Sequence, residues 1–189
     1  MTDRGKFEIW VKSLSGDEKM KLLQKIEEDA AAAEMAYYGC SRCVLHAVQK
    51  NLKLGNGDAI KAVMPLAGGV ARSMEACGAL LGAVMATGLA YGSDKLAFAF
   101  QAHVKDRPQD DEVAYCYAET MRRGGIICDK FRDKYGSLRC IDVQKAVHGK
   151  YWNLKDPKQL AEYCQPSIHD KCGYVAGFAA RIAAEVILA

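Results

Sequence analysis

Eight cysteines in a chain of 189 residues are the side chains whose chemistry stands out. A thiol ligates a metal or attacks a disulfide only as the thiolate, and the start of a helix stabilises that anion through its dipole and its free N–H groups. Local capping patterns put three of the eight there. Ser73 offers a cap for an apolar helix from Met74 to Tyr91, with Cys77 in its first turn. Ser137 offers one for a helix beginning near Cys140, and Asp170 one for a final helix beginning around Cys172. Thiols so placed suit metal binding or thiol exchange. A single cysteine in a helical core is more often a small buried hydrophobe, and the separations are far longer than the Cys-x-x-Cys pairs of common zinc modules. The coincidence of helix starts is what favours a site.

The elements that must position these thiols read as helices throughout. Leu22, Leu23, Ile26, Ala30 and Ala33 form an apolar stripe behind a Ser15/Glu18 capping box, which predicts a helix over 17–36. Cys40, Val44, Ala47, Val48 and Leu52 repeat at helical spacing until the turn at Gly55, Asn56 and Gly57. Ile60, Val63 and Met64 predict a short helix ended near Pro65, and Gly68–Gly69 a sharp turn. A further helix enters at Pro108–Asp111 and runs to Tyr135, bent at Gly124–Gly125, with Gly136 closing it. Small residues at Gly78, Gly82 and Ala86, and at Gly173 and Gly177, permit close helix crossings or contact with a second subunit, so a homodimer is an expectation. No stretch alternates well enough for a sheet. The fold class is all-α, a compact multi-helix bundle: a single helical domain, 1–189, in which an N-terminal helical extension, 1–38, packs on a cysteine-containing core, 39–189.

Composition excludes several classes of function. Net charge is +3 and no run of five or more basic residues occurs, so no nucleic-acid partner is expected. The uncharged stretch 76–91 is short for a membrane span, and residues 1–21 mix charges with isolated apolar positions, unlike a signal peptide. No membrane association is expected, and the location expected is cytoplasmic. A reducing cytoplasm turns a high cysteine count toward metal, redox chemistry or buried thiols rather than disulfides. Four histidines are scattered: His46 and His169 are second-tier candidates, while His103 and His148 fall in loops or helix ends. No paired, buried carboxylates suggest acid–base catalysis. Cys40-Ser41-Arg42-Cys43 is followed by Val44 rather than histidine, so a c-type haem is not expected.

Four segments carry a resemblance that covers most of the chain from Cys40 onward. They are Gly39-Cys40-Ser41-Arg42-Cys43, Gly68-Gly69 followed by Glu75-Ala76-Cys77-Gly78-Ala79-Leu80-Leu81-Gly82, Tyr135-Gly136-Ser137-Leu138-Arg139-Cys140, and Lys171-Cys172-Gly173-Tyr174. In that order they resemble the redox-active C_GCAxxG_C_C family, related to the iron–sulfur domain of split-Soret cytochromes. The resemblance selects Cys40, Cys77, Cys140 and Cys172 from the eight as ligands or redox-active thiols, and implies an iron–sulfur cluster as cofactor, without the haem-binding part. Cys43, one helical turn from Cys40, is a further ligand, a resolving thiol or a packing residue. Cys116, Cys128 and Cys164 are left outside the site. Ala71 and Met74 stand where the family pattern has glycines, and the chain between Cys140 and Cys172 is longer than usual.

Three functions follow as expectations. The first is a redox protein whose four thiolates hold an iron–sulfur cluster and exchange electrons with a separate partner. The second is a thiol–disulfide oxidoreductase or redox sensor in which Cys77 is the nucleophile. The third is a structural zinc site.

Overall fold

The computed structural model describes residues 3–97 and 110–189, with side chains from Gly5 onward. His103 and Pro108 lie outside the described residues. Among the described residues the chain forms helices α1 (Asp3–Ser13), α2 (Gly16–Tyr37), α3 (Cys40–Leu52), α4 (Gly57–Val63), α5 (Gly78–Tyr91), α6 (Asp111–Tyr135), α7 (Cys140–His148), α8 (Pro157–Tyr163) and α9 (Pro166–Ile187). A turn of 3-10 helix, Met64–Leu66, follows α4. No strand forms among the described residues; one isolated antiparallel bridge joins Ala76 to Arg139. The fold is the all-α bundle expected.

Packing follows from where the small and apolar residues fall. The uncharged α5 is the central helix, lying against α3, α6 and α9, while α2 packs along α9 and α3. Between them Ile26, Leu45, Leu52, Ile127, Phe131 and Ile187 are fully buried, each worth about 1.5–3 kcal/mol relative to exposure. Both small-residue stripes are spent inside the chain. A methyl group on Gly78 would stand 2.6 Å from the Cys40 sulfur, and one on Gly173 would stand 2.6 Å from Met35 Cγ. The stripes therefore seat α5 on α3 and α9 on α2.

Several element boundaries differ from expectation for identifiable reasons. The Ser15 capping box forms, Glu18 accepting the Ser15 N–H at 2.8 Å. Within residues 1–21, helix α1 forms because Phe7, Trp10, Val11 and Leu14 share one face that packs on the core. Helix α5 starts at Gly78 rather than Met74, and Ser73 caps nothing, since residues 68–74 take another conformation described below. Arg139, not Ser137, is the N-cap of α7; Ser137 instead accepts the Arg139 N–H at 3.1 Å and donates to Asp142 at 2.9 Å. Helix α9 begins at Pro166, well before Asp170, because proline is preorganised for the first helical position. Helix α8, absent from the sequence reading, starts the same way at Pro157 behind an Asp156 cap. Helix α6 runs unbroken through Gly124–Gly125, where Gly124 lets Val84 of α5 approach.

One cluster ties the far end of the bundle together and is sensitive to acid. Arg123 donates to the Val186 carbonyl, covers the Tyr91 ring at 4.1 Å and pairs with Glu119 at 2.8 Å, while Arg122 reaches the same carboxylate at 2.6 Å. The hydrogen bond from Arg122, with Arg123 beside it, lowers the Glu119 pKa to about 2. A carboxyl whose folded pKa is depressed stabilises the fold above its unfolded pKa and loses that contribution as pH falls toward the folded one. Glu119→Gln is expected to lower Tm by about 2–4 °C at pH 7, a loss of about 1 kcal/mol. That gap between variant and wild type should close as pH falls from 4.5 toward 2 in calorimetric scans.

Candidate functional site

The segment between the 3-10 turn and α5 has an unusual backbone. Gly68, Gly69, Val70, Ala71 and Arg72 have φ of 66°, 72°, 61°, 50° and 62°, and Met74 has 64°. Such a run coils in the left-handed sense, each L-residue in it at a cost of about 1–2 kcal/mol. The coil closes on itself: Ala71 N–H reaches the Pro65 carbonyl at 2.7 Å, Met74 N–H that of Gly68 at 3.1 Å, and Glu75 N–H that of Gly69 at 3.0 Å. Ala71 and Met74, standing where glycines are the family pattern, are thus at positions of positive φ. Ala71→Gly at this exposed site is expected to raise stability by up to about 1 kcal/mol, relief of the left-handed cost outweighing glycine's greater unfolded-state entropy. Urea titration checks it, and a loss of stability would mean that the coil carries no strain at this residue.

The coil then feeds the bridge that sets two cysteines side by side. Cys77 N–H donates to the Leu138 carbonyl at 2.8 Å, Cys140 N–H to Glu75 at 2.6 Å, and Ile141 N–H to Met74 at 3.2 Å. The approaches to α5 and α7 thus run antiparallel for a few residues, with Cys77 the N-cap of α5 and Cys140 the first residue of α7. Cys40 is the first residue of α3. Three cysteines do sit at helix starts, but they are Cys40, Cys77 and Cys140. Cys172 lies in the second turn of α9, where Tyr163 O–H donates to its sulfur at 2.9 Å and His148 Nε2 stands 3.8 Å away.

All four cysteines line one cavity of about 310 Å³, roofed by the left-handed coil and walled by Leu154, Leu160 and Tyr163. The long connection between Cys140 and Cys172 supplies that wall, through a small second core of Met74, Trp152, Leu154 and Tyr163. Cys164 lines the cavity too. Cys43 does not: its buried thiol faces the Tyr38 carbonyl at 3.6 Å. Cys116 and Cys128 sit on α6 away from the cavity, and His46 is exposed on α3. His169 is buried in the cavity wall, its Nε2 3.1 Å from Glu34 Oε1 and its ring stacked 3.9 Å from Tyr38.

Glu34, 2 % exposed beside His169, is a buried carboxylate outside the candidates drawn from the sequence. A signal for it was present, since it continues the Ile26–Ala30 stripe one turn on and so had to face inward. Gln144, one turn from Cys140 on α7, was legible by the same spacing. Tyr163 left no comparable signal, because its place depends on how the long connection folds back.

Burial dominates the electrostatics of the thiols. Removing a sulfur from water disfavours its anion, and Cys40, Cys77, Cys140 and Cys172 are all raised by it, Cys172 to about 12. The Glu34 charge adds to the rise at Cys40, Cys77 and Cys172. Donors on the wall oppose it: the Gly68 N–H at Cys40, the Ala79 and Leu80 N–H groups at Cys77, Gln144 at Cys140 and Tyr163 at Cys172. Such a wall suits a sulfur-rich anion whose metal ions supply the missing positive charge. Among the described residues no three His, Cys, Asp or Glu side chains are grouped so as to hold one metal ion. No disulfide joins any of the eight cysteines, and no described helix is long and apolar enough to cross a membrane.

No curated protein and no solved structure shows significant similarity to the chain. The sequence model of one family, described as "Putative redox-active protein (C_GCAxxG_C_C)", matches residues 38–186. The matched span contains all four cavity cysteines named from the sequence, the left-handed coil and the wall that closes over them. The chain belongs to the C_GCAxxG_C_C family.

Proposed function

We propose that Cys40, Cys77, Cys140 and Cys172 hold an iron–sulfur cluster and that the protein transfers electrons between separate redox partners. The observation that carries this reading is that the four thiols, drawn from four different helices, line the wall of one cavity. When bound, the cluster would take up and return single electrons. The protein's own part is to exclude water with Leu154 and Leu160, to offer N–H and O–H donors to sulfur, and to hold Glu34 against His169 beside the site.

Thiol exchange draws less support, because a nucleophilic thiol calls for a depressed pKa, whereas burial raises all four. Metal-free protein treated with iodoacetamide is expected to label slowly at these four cysteines at pH 7, the rate rising only above pH 9. Fast labelling of Cys77 at neutral pH would favour thiol exchange instead. The electron-transfer reading is tested by visible absorption of anaerobically purified protein: a band that bleaches with dithionite and returns on oxidation supports it, and a colourless protein opposes it.

A further inference from the structure

Gln144 is 1 % exposed and lines the cavity, yet only half of its amide is used. Its Oε1 accepts the Trp152 backbone N–H at 3.0 Å, and its Nε2 has no partner. The orientation is fixed by chemistry, because an N–H group can be accepted only by the amide oxygen; flipping the side chain would set two donors against each other. Trp152 is itself held in the second core with Leu154 and Tyr163. The long connection therefore pins one end of the amide and leaves the NH2 end free, one helical turn from Cys140. A buried donor without an acceptor is costly and is rarely retained unless something completes it. The acceptor it faces is the sulfur of Cys140, whose anion the Gln144 side chain stabilises, although no hydrogen bond forms between the two.

We infer that Gln144 is a positioning residue whose Nε2 donates a hydrogen bond to sulfur of the bound cluster, raising its reduction potential. This rests on the cluster reading above. The reduced cluster carries one more negative charge than the oxidised one, so a donor aimed at its sulfur strengthens on reduction and favours the reduced state. Trp152 acts through Gln144 by holding its oxygen.

Two variants separate this role from a structural one. Gln144→Met keeps length and removes the donor; Gln144→Glu keeps an oxygen for Trp152 and replaces the donor with an acceptor. Iron and acid-labile sulfide are measured first, then the midpoint potential by spectroelectrochemical titration, with Fe–S stretching bands from resonance Raman. Both variants are expected to load as wild type does, to shift those bands, and to show an equilibrium constant for one-electron reduction lowered about tenfold, which is about 59 mV. Loaded variants with wild-type potentials would overturn the assignment, and so would folded variants that lose the cluster, since Gln144 would then maintain the site rather than tune it. Wild-type protein without iron and sulfide would instead overturn the underlying reading, and this inference with it.

Discussion

Cys77→Ser is expected to abolish cofactor binding while leaving the metal-free fold nearly as stable as before. Cys77 is the N-cap of α5, with the Ala79 and Leu80 N–H groups turned toward its side chain. Serine is among the best residues at that position, where loss of a capping oxygen costs about 1 kcal/mol. The better cap offsets the loss of a buried, weakly polar sulfur, so the Tm of the metal-free protein should move by no more than about 2–4 °C. Ligation responds differently. A buried hydroxyl stays protonated where a thiol releases its proton to solvent on binding a metal, and one corner of a four-thiolate site is lost. At least a tenfold drop in visible absorbance per chain is expected, against little change in Cys128→Ser, whose half-buried thiol lies on α6 outside the cavity. Parallel circular-dichroism melts show whether the helices survive.

Gly69→Ala is expected to destabilise the protein strongly and to disturb the site at once. Its φ of 72° already disfavours any side chain. The added carbon would also stand 2.6 Å from Cys140 Cβ, 2.7 Å from the Glu75 nitrogen and 2.8 Å from the Met74 carbonyl carbon. None of these is the end of a flexible side chain: two are backbone and the third is rooted at the start of α7. The left-handed conformation costs about 1–2 kcal/mol and the overpacking about 1–3 kcal/mol more. Together they should lower Tm by about 5–15 °C. Because relief requires the coil to move off Cys140, cofactor retention should fall as well. Gly136→Ala isolates the first part, since its φ is 76° and nothing lies within 4 Å of the added carbon. A cost of only about 1–2 kcal/mol is expected there. Equal losses in the two variants, by urea titration, would mean that Gly69 does not press against Cys140.

How far the molecule could be read from its sequence depends on how local each signal is. Helical periodicity and caps are local, so α2 and α3 fall close to where Ser15, Gly39 and Gly55 put them. The left-handed coil defeats that logic. Its conformation comes from hydrogen bonds spanning five or six residues and from contact with Cys140, while Val70, Ala71, Arg72 and Met74 carry no preference for positive φ. Ser73 therefore looks like a helix cap and is not one. Asp170 resembles a cap and would put Cys172 at a helix start, whereas Pro166 already begins α9. That Cys40, Cys77, Cys140 and Cys172 belong together came from family resemblance, since no spacing rule links residues so far apart. Glu34 and Gln144 were within reach of a stricter reading, each being a polar residue one turn along from a buried position on its own helix. Tyr163 and Cys164 were not, because the connection from α7 to α9 reaches the cavity only through tertiary packing around Trp152.

The most direct measurement is the iron and acid-labile sulfide content of protein purified without oxygen from iron-replete cells, for the wild type and for Cys40→Ser, Cys77→Ser, Cys140→Ser and Cys172→Ser. A four-cysteine cluster gives iron and sulfide in near-equal amounts in the wild type and loss of both in each variant. Wild-type protein free of iron and sulfide, or full retention of both when any one of the four is replaced, would contradict it.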